Sequence, residues 1–277
     1  MPRFDILFFD LDGTLLSPDH RTVSPQNQEA LREVRTAGVR LAVATGRCLG
    51  MIPPEALRLG LDYAVTSNGA ALYDLRQEGQ IYSHPFPPEE AAKACGVIER
   101  YADFYELFVD GDVLLIRSPL AEAAGCAMPP WGKFYIERRG GLPPMTSIRS
   151  FVAEGAPGLE KINLIDCPRD KLPQLQEELL AMGLFDLSSS MSYGGLEVVP
   201  KTCSKGSAIR WLCGRLGIGM ERCAAFGDSS NDRDMLAAVG CGVAMENAPD
   251  DLKTAATYLA PPYDQDGIAR FIRQHVL

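Results

Sequence analysis

The sequence predicts an α/β fold in which a parallel sheet flanked by helices is interrupted by an α+β insertion. Two observations carry this reading. Short apolar runs alternate with helical stretches at both ends of the chain: DILFF (5–9), VRLAVAT (39–45), Tyr63–Thr66, RCAAFGD (222–228) and GCGVAM (240–245). Runs of this kind are the mark of strands buried on both faces, and their alternation with helices indicates right-handed parallel crossovers. The texture then changes at PFPPEE (85–90) and does not return to that alternation until about residue 190.

Each element has a local reason. DILFF ends in carboxylates and Gly13, so a strand runs into a loop. Ser24-Pro25 supplies an N-cap and a proline at the first helical position, opening a helix that Gly38 stops. Pro53 to Leu59 reads as a short helix, and segments 70–73 and 80–83 read as an edge hairpin.

Within the insertion the expected order begins with helix 88–102 and two strands in 105–117 turning at Asp110-Gly111. A Pro- and Gly-rich stretch follows, then helix 145–155, strand 161–166, helix 169–182 and strand 184–190. Trp131, Lys133, Arg138 and Arg139 lie in the least regular part of it. LEVVP (196–200) is expected to lead back to the first region, followed by a helix at 204–216 and a closing helix at 266–276. The expected domains are therefore 1–83 with 191–277, and the insertion 84–190.

Composition narrows the function classes. The 277 residues are 46% hydrophobic and 23% charged, enough for a sizeable core. A formal charge of -9 argues against nucleic acid or anionic membranes as partners, since those surfaces select clustered Lys and Arg. The eight cysteines form no C-x-x-C pair, so neither a zinc site nor a disulfide framework is expected. With no secretory pattern at MPRFDILFFDLDG and no apolar stretch of membrane-spanning length, a cytoplasmic protein with reduced thiols is the expectation.

The chemistry-bearing residues sit at strand ends. Asp10 and Asp12 flank Leu11 where the first strand stops, and Gly13 permits a turn that brings both carboxylates together. Paired carboxylates can hold a hard cation and divide nucleophilic from acid/base work. An EF-hand is excluded, because Gly13 is fourth rather than sixth from Asp10 and Arg21 stands where the bidentate Glu belongs. Thr45-Gly46-Arg47 ends the second strand with a hydroxyl and backbone N–H groups suited to a phosphoryl oxygen; Asn68-Gly69 follows the third. Lys205 starts a helix, against the macrodipole. Asp228, Asn231 and Asp232 follow another strand, in a set that suits Mg²⁺. Each cluster also has an ordinary reading as a turn, cap or solvated charge. Together they make the inventory of phosphoryl transfer: an in-line nucleophile and neutralised phosphate charge.

FFDLDGTLL, VATGR, SNGA, the SKG after LEVVP, GDSSNDRDML and the later DQDGIARFI, in this order, resemble the haloacid dehalogenase-like (HAD) superfamily, specifically Cof-type phosphatases with a type IIB cap. The resemblance implies a Rossmann-like core with an inserted cap that closes over the site and contacts the leaving group. It also implies a Mg²⁺-dependent phosphatase acting on a small phosphorylated metabolite, such as a sugar phosphate or cofactor phosphate, through an aspartyl-phosphate.

It assigns Asp10 as nucleophile and Asp12 as general acid/base. Asp10, the Asp12 carbonyl and Asp228 are the expected metal ligands. Lys205 and Thr45 bind the transferring phosphoryl group, with Gly46, Arg47 and Asn231 beside it and Asp232 in support. A carboxylate next to Asp12 is expected to oppose its ionisation and so keep it an acid. A monomer or homodimer is expected. Two alternatives stay open: a phosphotransferase or phosphomutase of the same fold (phosphomannomutases share a similar core and cap class), and a regulatory protein that binds a phosphometabolite without turnover.

Overall fold

The computed structural model describes residues 4–77, 79–118, 123, 145–146, 148–164, 167–190 and 195–276. Trp131, Lys133, Arg138 and Arg139 lie outside the described residues. The chain divides into two compact units, one of Met1–Ser83 with Cys203–Leu277 and one of His84–Thr202.

In the first unit, parallel strands β1 (Ile6–Phe9), β2 (Arg40–Ala44) and β3 (Tyr63–Thr66) are joined by β12 (Cys223–Gly227), β13 (Cys241–Met245) and β14 (Tyr258–Ala260). Two antiparallel strands, β4 (Ala71–Asp74) and β5 (Gly79–Ser83), extend one edge. The sheet order is β14-β13-β12-β1-β2-β3-β4-β5. β1 pairs with β12 on one side and β2 on the other, with Phe9 opposite both Phe226 and Val43.

Alternation along β1 sends its side chains into two cores. Ile6 and Phe8 pack with Ile209 and Leu212 of the helix Lys205–Leu216. Leu7 and Phe9 pack with Leu31 of the helix Pro25–Thr36 and Phe271 of the helix Gly267–His275. Phe9 stacks on Phe226 at 5.0 Å, and Phe226 meets Phe271 edge-on at 5.3 Å. Burial on both faces explains why these strands read as unbroken apolar runs.

In the second unit a six-stranded sheet runs in the order β10 (Phe185–Ser190), β11 (Gly195–Pro200), β9 (Leu159–Leu164), β6 (Phe104–Val109), β7 (Asp112–Arg117), β8 (Met145–Thr146). One face packs Leu107, Ile162, Leu196 and Val198 with residues of the helices Pro88–Ile98 and Leu172–Ala181. The alternate positions are polar: Asn163 donates to Glu106 at 2.7 Å, and Lys161 and Ser188 donate to Glu197 at 2.6 and 3.0 Å. Asp110 and Gly111 both take positive φ (49° and 80°), giving the tight hairpin turn expected between β6 and β7.

One boundary differs from the sequence expectation. LEVVP itself lies in the second unit, its strand β11 pairing antiparallel with β10 and β9, and the chain re-enters the first unit at Cys203 rather than at 191. Its apolar alternation is equally compatible with either sheet, and only the pairing partner decides. The seven described cysteines are all buried, and none of them is in a disulfide. Among the described residues no helix is long and apolar enough to cross a membrane.

Candidate active site

β1, β2, β3 and β12 are parallel, so their carboxyl ends share one edge of the first sheet. The loops leaving that edge bring the candidate residues into direct contact. After β1 the chain makes a turn over Leu11–Leu15, with Gly13 at φ 79°. A Cβ on Gly13 would lie 2.3 Å from Oδ2 of Asp228, so glycine is needed both for the backbone and for the close approach of the β12 loop. Thr14 donates its hydroxyl to Oδ1 of Asp228 at 3.1 Å. At Gly227, just before Asp228, only the close approach applies: a Cβ would lie 2.5 Å from Cγ of Asp232.

Asp10, Asp228 and Asp232 form the one group of carboxylates among the described residues able to hold a metal, with one oxygen from each within 4.8 Å of the others. All three are buried. Lys205, itself buried, extends Nζ to Oδ1 of Asp10 and to Oδ1 of Asp232, each at 2.6 Å. The other oxygen of Asp232 accepts the backbone N–H groups of Asp228 and Ser229, both at 2.9 Å. Asp232 is therefore committed to Lys205 and to its own loop. Asp10 and Asp228 are the better placed pair for a cation.

Three buried carboxylates share one ammonium, and that imbalance sets the electrostatics. Burial pushes the Asp10 carboxyl up and Lys205 pulls it down, but the carboxylates of Asp232, Asp228 and Asp12 push it up again, and the net direction is well upward. Burial, with the charge of Asp232, pushes Asp228 up to about 7 despite the hydrogen bond from Thr14. Burial works against the Lys205 charge, yet Asp10 and Asp232 outweigh it and hold the ammonium above its ordinary range. A hard divalent cation held by oxygen ligands fits this donor set and would neutralise its excess charge.

Asp12 points elsewhere. Arg47 grips its carboxylate with two nitrogens, Nε to Oδ2 at 2.7 Å and Nη2 to Oδ1 at 2.6 Å, and Nδ1 of His20 lies 2.7 Å from Oδ1. Enclosure by the protein pushes the Asp12 carboxyl up, but the hydrogen bonds from His20 and Arg47 and the charges behind them prevail, holding it well below the usual carboxylate range. This corrects the expectation that a neighbouring carboxylate keeps Asp12 protonated. The nearest fixed charge is the Arg47 guanidinium, which favours the ionised form.

Thr45 is buried at the end of β2 and accepts the backbone N–H of Arg47 on its hydroxyl oxygen at 3.1 Å. Its carbonyl accepts the N–H of Asn68 at 3.1 Å, which joins the β2 and β3 loops. Gly46 lies between them at intermediate burial. Ser67 and Asn68 both adopt positive φ (51° and 56°), and the Asn68 amide oxygen accepts Nδ2 of Asn231 at 3.1 Å. Oδ1 of Asn231 is buried with no hydrogen-bond partner. Lys205 opens its helix behind Ser204, whose hydroxyl caps Ser207 N–H at 3.0 Å. That reciprocal cap, rather than the dipole, positions the lysine.

The structure also brings in two residues the sequence reasoning did not single out, His20 and Asn247. The Asn247 side chain donates to the Gly13 carbonyl at 2.9 Å and to Oδ2 of Asp228 at 3.2 Å. The signal available for it was its place just after the apolar strand GCGVAM.

A family model described as haloacid dehalogenase-like hydrolase matches residues 7–272. The chain is 31% identical over 285 residues to the pyridoxal phosphate phosphatase YbhA of Escherichia coli (strain K12), covering 98% of each. It is 33% identical over 274 residues to the HMP-PP phosphatase of Serratia proteamaculans (strain 568), covering 97% of this chain and 94% of that one. A solved structure described as a HAD subclass IIB sugar phosphatase superposes with a TM-score of 0.78 at 25% identity, covering 98% of each chain.

Proposed function

The chain belongs to the haloacid dehalogenase-like hydrolases, and from that premise we propose that it is a Mg²⁺-dependent phosphatase that hydrolyses a small-molecule phosphomonoester through an aspartyl-phosphate on Asp10. The observation that carries this reading is the buried cluster of Asp10, Asp228, Asp232 and Lys205: three carboxylates and one ammonium at the carboxyl edge of a parallel sheet.

The division of labour follows from the contacts. Lys205 fixes Oδ1 of Asp10, leaving the other oxygen of that carboxylate to attack phosphorus while the ester P–O bond breaks. Asp12, which rests ionised against Arg47, takes up a proton from solvent as the ester binds and gives it to the departing oxygen. Water then attacks the phosphoryl group, its proton passes to Asp12, and the bond to Asp10 breaks to release phosphate. Thr45, whose hydroxyl oxygen already accepts Arg47 N–H, keeps its own proton for a phosphoryl oxygen, beside the Gly46 amide and Asn231. Mg²⁺, held by Asp10, Asp228 and the Asp12 carbonyl, would supply charge neutralisation at the phosphate. Asp232 holds Lys205 from behind.

The relatives are named for different substrates: pyridoxal phosphate, HMP-PP and a sugar phosphate. The reading is therefore of a class, a small phosphorylated metabolite. It is tested by phosphate release from a panel of such esters, with Mg²⁺ and with EDTA, for wild type and Asp10→Asn. Release that needs Mg²⁺ and disappears in Asp10→Asn is expected. Release that survives Asp10→Asn would overturn the nucleophile assignment. Transfer to a sugar acceptor in place of release would favour a phosphotransferase.

A further inference from the structure

We propose that Arg47 and His20 are positioning residues that fix the Asp12 carboxylate for proton transfer, and that Arg47 does not bind the transferring phosphoryl group. The inference rests on the phosphatase reading above and refines it, since the sequence alone placed Arg47 beside the phosphate.

Every nitrogen of the Arg47 guanidinium is already engaged. Nε and Nη2 take the two oxygens of Asp12, Nη1 donates to the Met51 carbonyl at 3.0 Å, and Nη2 also reaches the His20 carbonyl at 3.2 Å. The side chain is only 12% exposed, so it is held in place rather than swinging in solvent. A two-point guanidinium–carboxylate pair sets the plane of the carboxylate as well as its distance. The His20 ring adds a third point on Oδ1.

The clamp thus ties three separate segments together: the turn after β1, the loop carrying His20, and the loop after β2. Swinging Nε and Nη2 of Arg47 to a phosphoryl oxygen would give up both contacts to Asp12. Lys205 and the cation site already supply positive charge there, whereas Arg47 is the one guanidinium or ammonium paired with Asp12 among the described residues.

A group that acts through the general acid leaves a signature in the leaving group. An alkyl phosphate expels a basic alkoxide that needs a proton, whereas 4-nitrophenyl phosphate expels a phenolate that needs little help. For Arg47→Ala, kcat/KM on a primary alkyl phosphate is expected to fall about 10–100-fold. The loss on 4-nitrophenyl phosphate should be several-fold smaller, with inhibition by orthovanadate unchanged. Asp12→Asn should show the same selectivity, and adding Arg47→Ala to it should cost nothing further on the alkyl ester. Arg47→Lys, which keeps one contact and the charge, should recover part of the loss and guards against a folding defect. His20→Ala should fall in the same direction by less.

Equal losses on both esters, weaker vanadate inhibition, or additivity with Asp12→Asn would each overturn the proposal and return Arg47 to the phosphate. Wild-type protein inactive on both esters would instead overturn the phosphatase reading on which it stands.

Discussion

Nζ of Lys205 lies 2.6 Å from Oδ1 of Asp10, although the two residues are 195 positions apart in sequence. The pair joins the first strand of the sheet to the helix that follows the second unit. Removing the ammonium leaves Asp10 and Asp232 buried together without a counter-charge. Lys205→Ala is expected to lower kcat by about 10²–10³-fold, the scale of losing one preorganised charge-stabilising group. It should also destabilise the fold by about 3–5 kcal/mol, as for other broken buried pairs. Steady-state kinetics with denaturant unfolding in EDTA checks both, and a variant as active and stable as wild type would contradict the account.

Gly13 tests the close approach of two loops. Its φ of 79° and the 2.3 Å separation between a built Cβ and Asp228 Oδ2 leave no room for a methyl group. Gly13→Ala carries a left-handed backbone cost of about 1–2 kcal/mol and must also displace Asp228. The expected result is a lower melting temperature together with weaker Mg²⁺ binding by calorimetric titration. Weaker stability with unchanged Mg²⁺ binding would mean that Asp228 does not hold the ion.

The raised carboxyl of Asp228 gives a pH dependence with a definite sign. Without metal it titrates at about 7, above the value of about 4 expected for an unfolded aspartate. A carboxyl raised on folding destabilises the fold as it ionises, so the metal-free protein should lose stability between about pH 4 and pH 7. A divalent cation binds the ionised form. The rise in melting temperature on adding Mg²⁺ should therefore be larger at pH 8 than at pH 6. An equal or smaller rise at pH 8 would argue against a carboxylate cation site.

Much of this site is legible in the sequence, because its main residues stand where apolar strands end. Asp10, Thr45 and Asp228 each follow such a run, and a buried parallel strand leaves polar side chains only at its ends. His20 and Asn247 are not legible in that way. Their roles are contacts across distance, Asn247 meeting the Gly13 carbonyl 234 positions away, and no local pattern marks such a pair. The state of Asp12 is hidden from the sequence for a related reason. Sequence adjacency puts a carboxylate two positions away, while folding puts Arg47 and His20 directly on it. The sequence does not show that LEVVP still belongs to the second unit, because alternation specifies a strand and a buried face, not a partner.

The second unit has its own buried ion pair. Lys161 meets Glu197 at 2.6 Å with side chains only 2% and 12% exposed, and its ammonium sits 4.3 Å from the centre of the Phe108 ring. Glu197→Ala removes this hydrogen-bonded partner of Lys161 and is expected to destabilise this unit by about 1–3 kcal/mol. Hydrogen exchange should show the loss in strands β9 and β11, with the strands of the first unit unchanged. Uniform protection throughout would contradict it.

The central claim is that Asp10 becomes covalently phosphorylated. The most direct measurement is rapid acid quench during turnover of a phosphate ester with Mg²⁺, followed by borohydride reduction, proteolysis and mass spectrometry of the peptide spanning Asp10. The account predicts a phosphoryl adduct before reduction, and conversion to homoserine at position 10 after it, in wild type and not in Asp10→Asn. Turnover with no modification at Asp10 at any quench time, or an adduct on another residue, would contradict it.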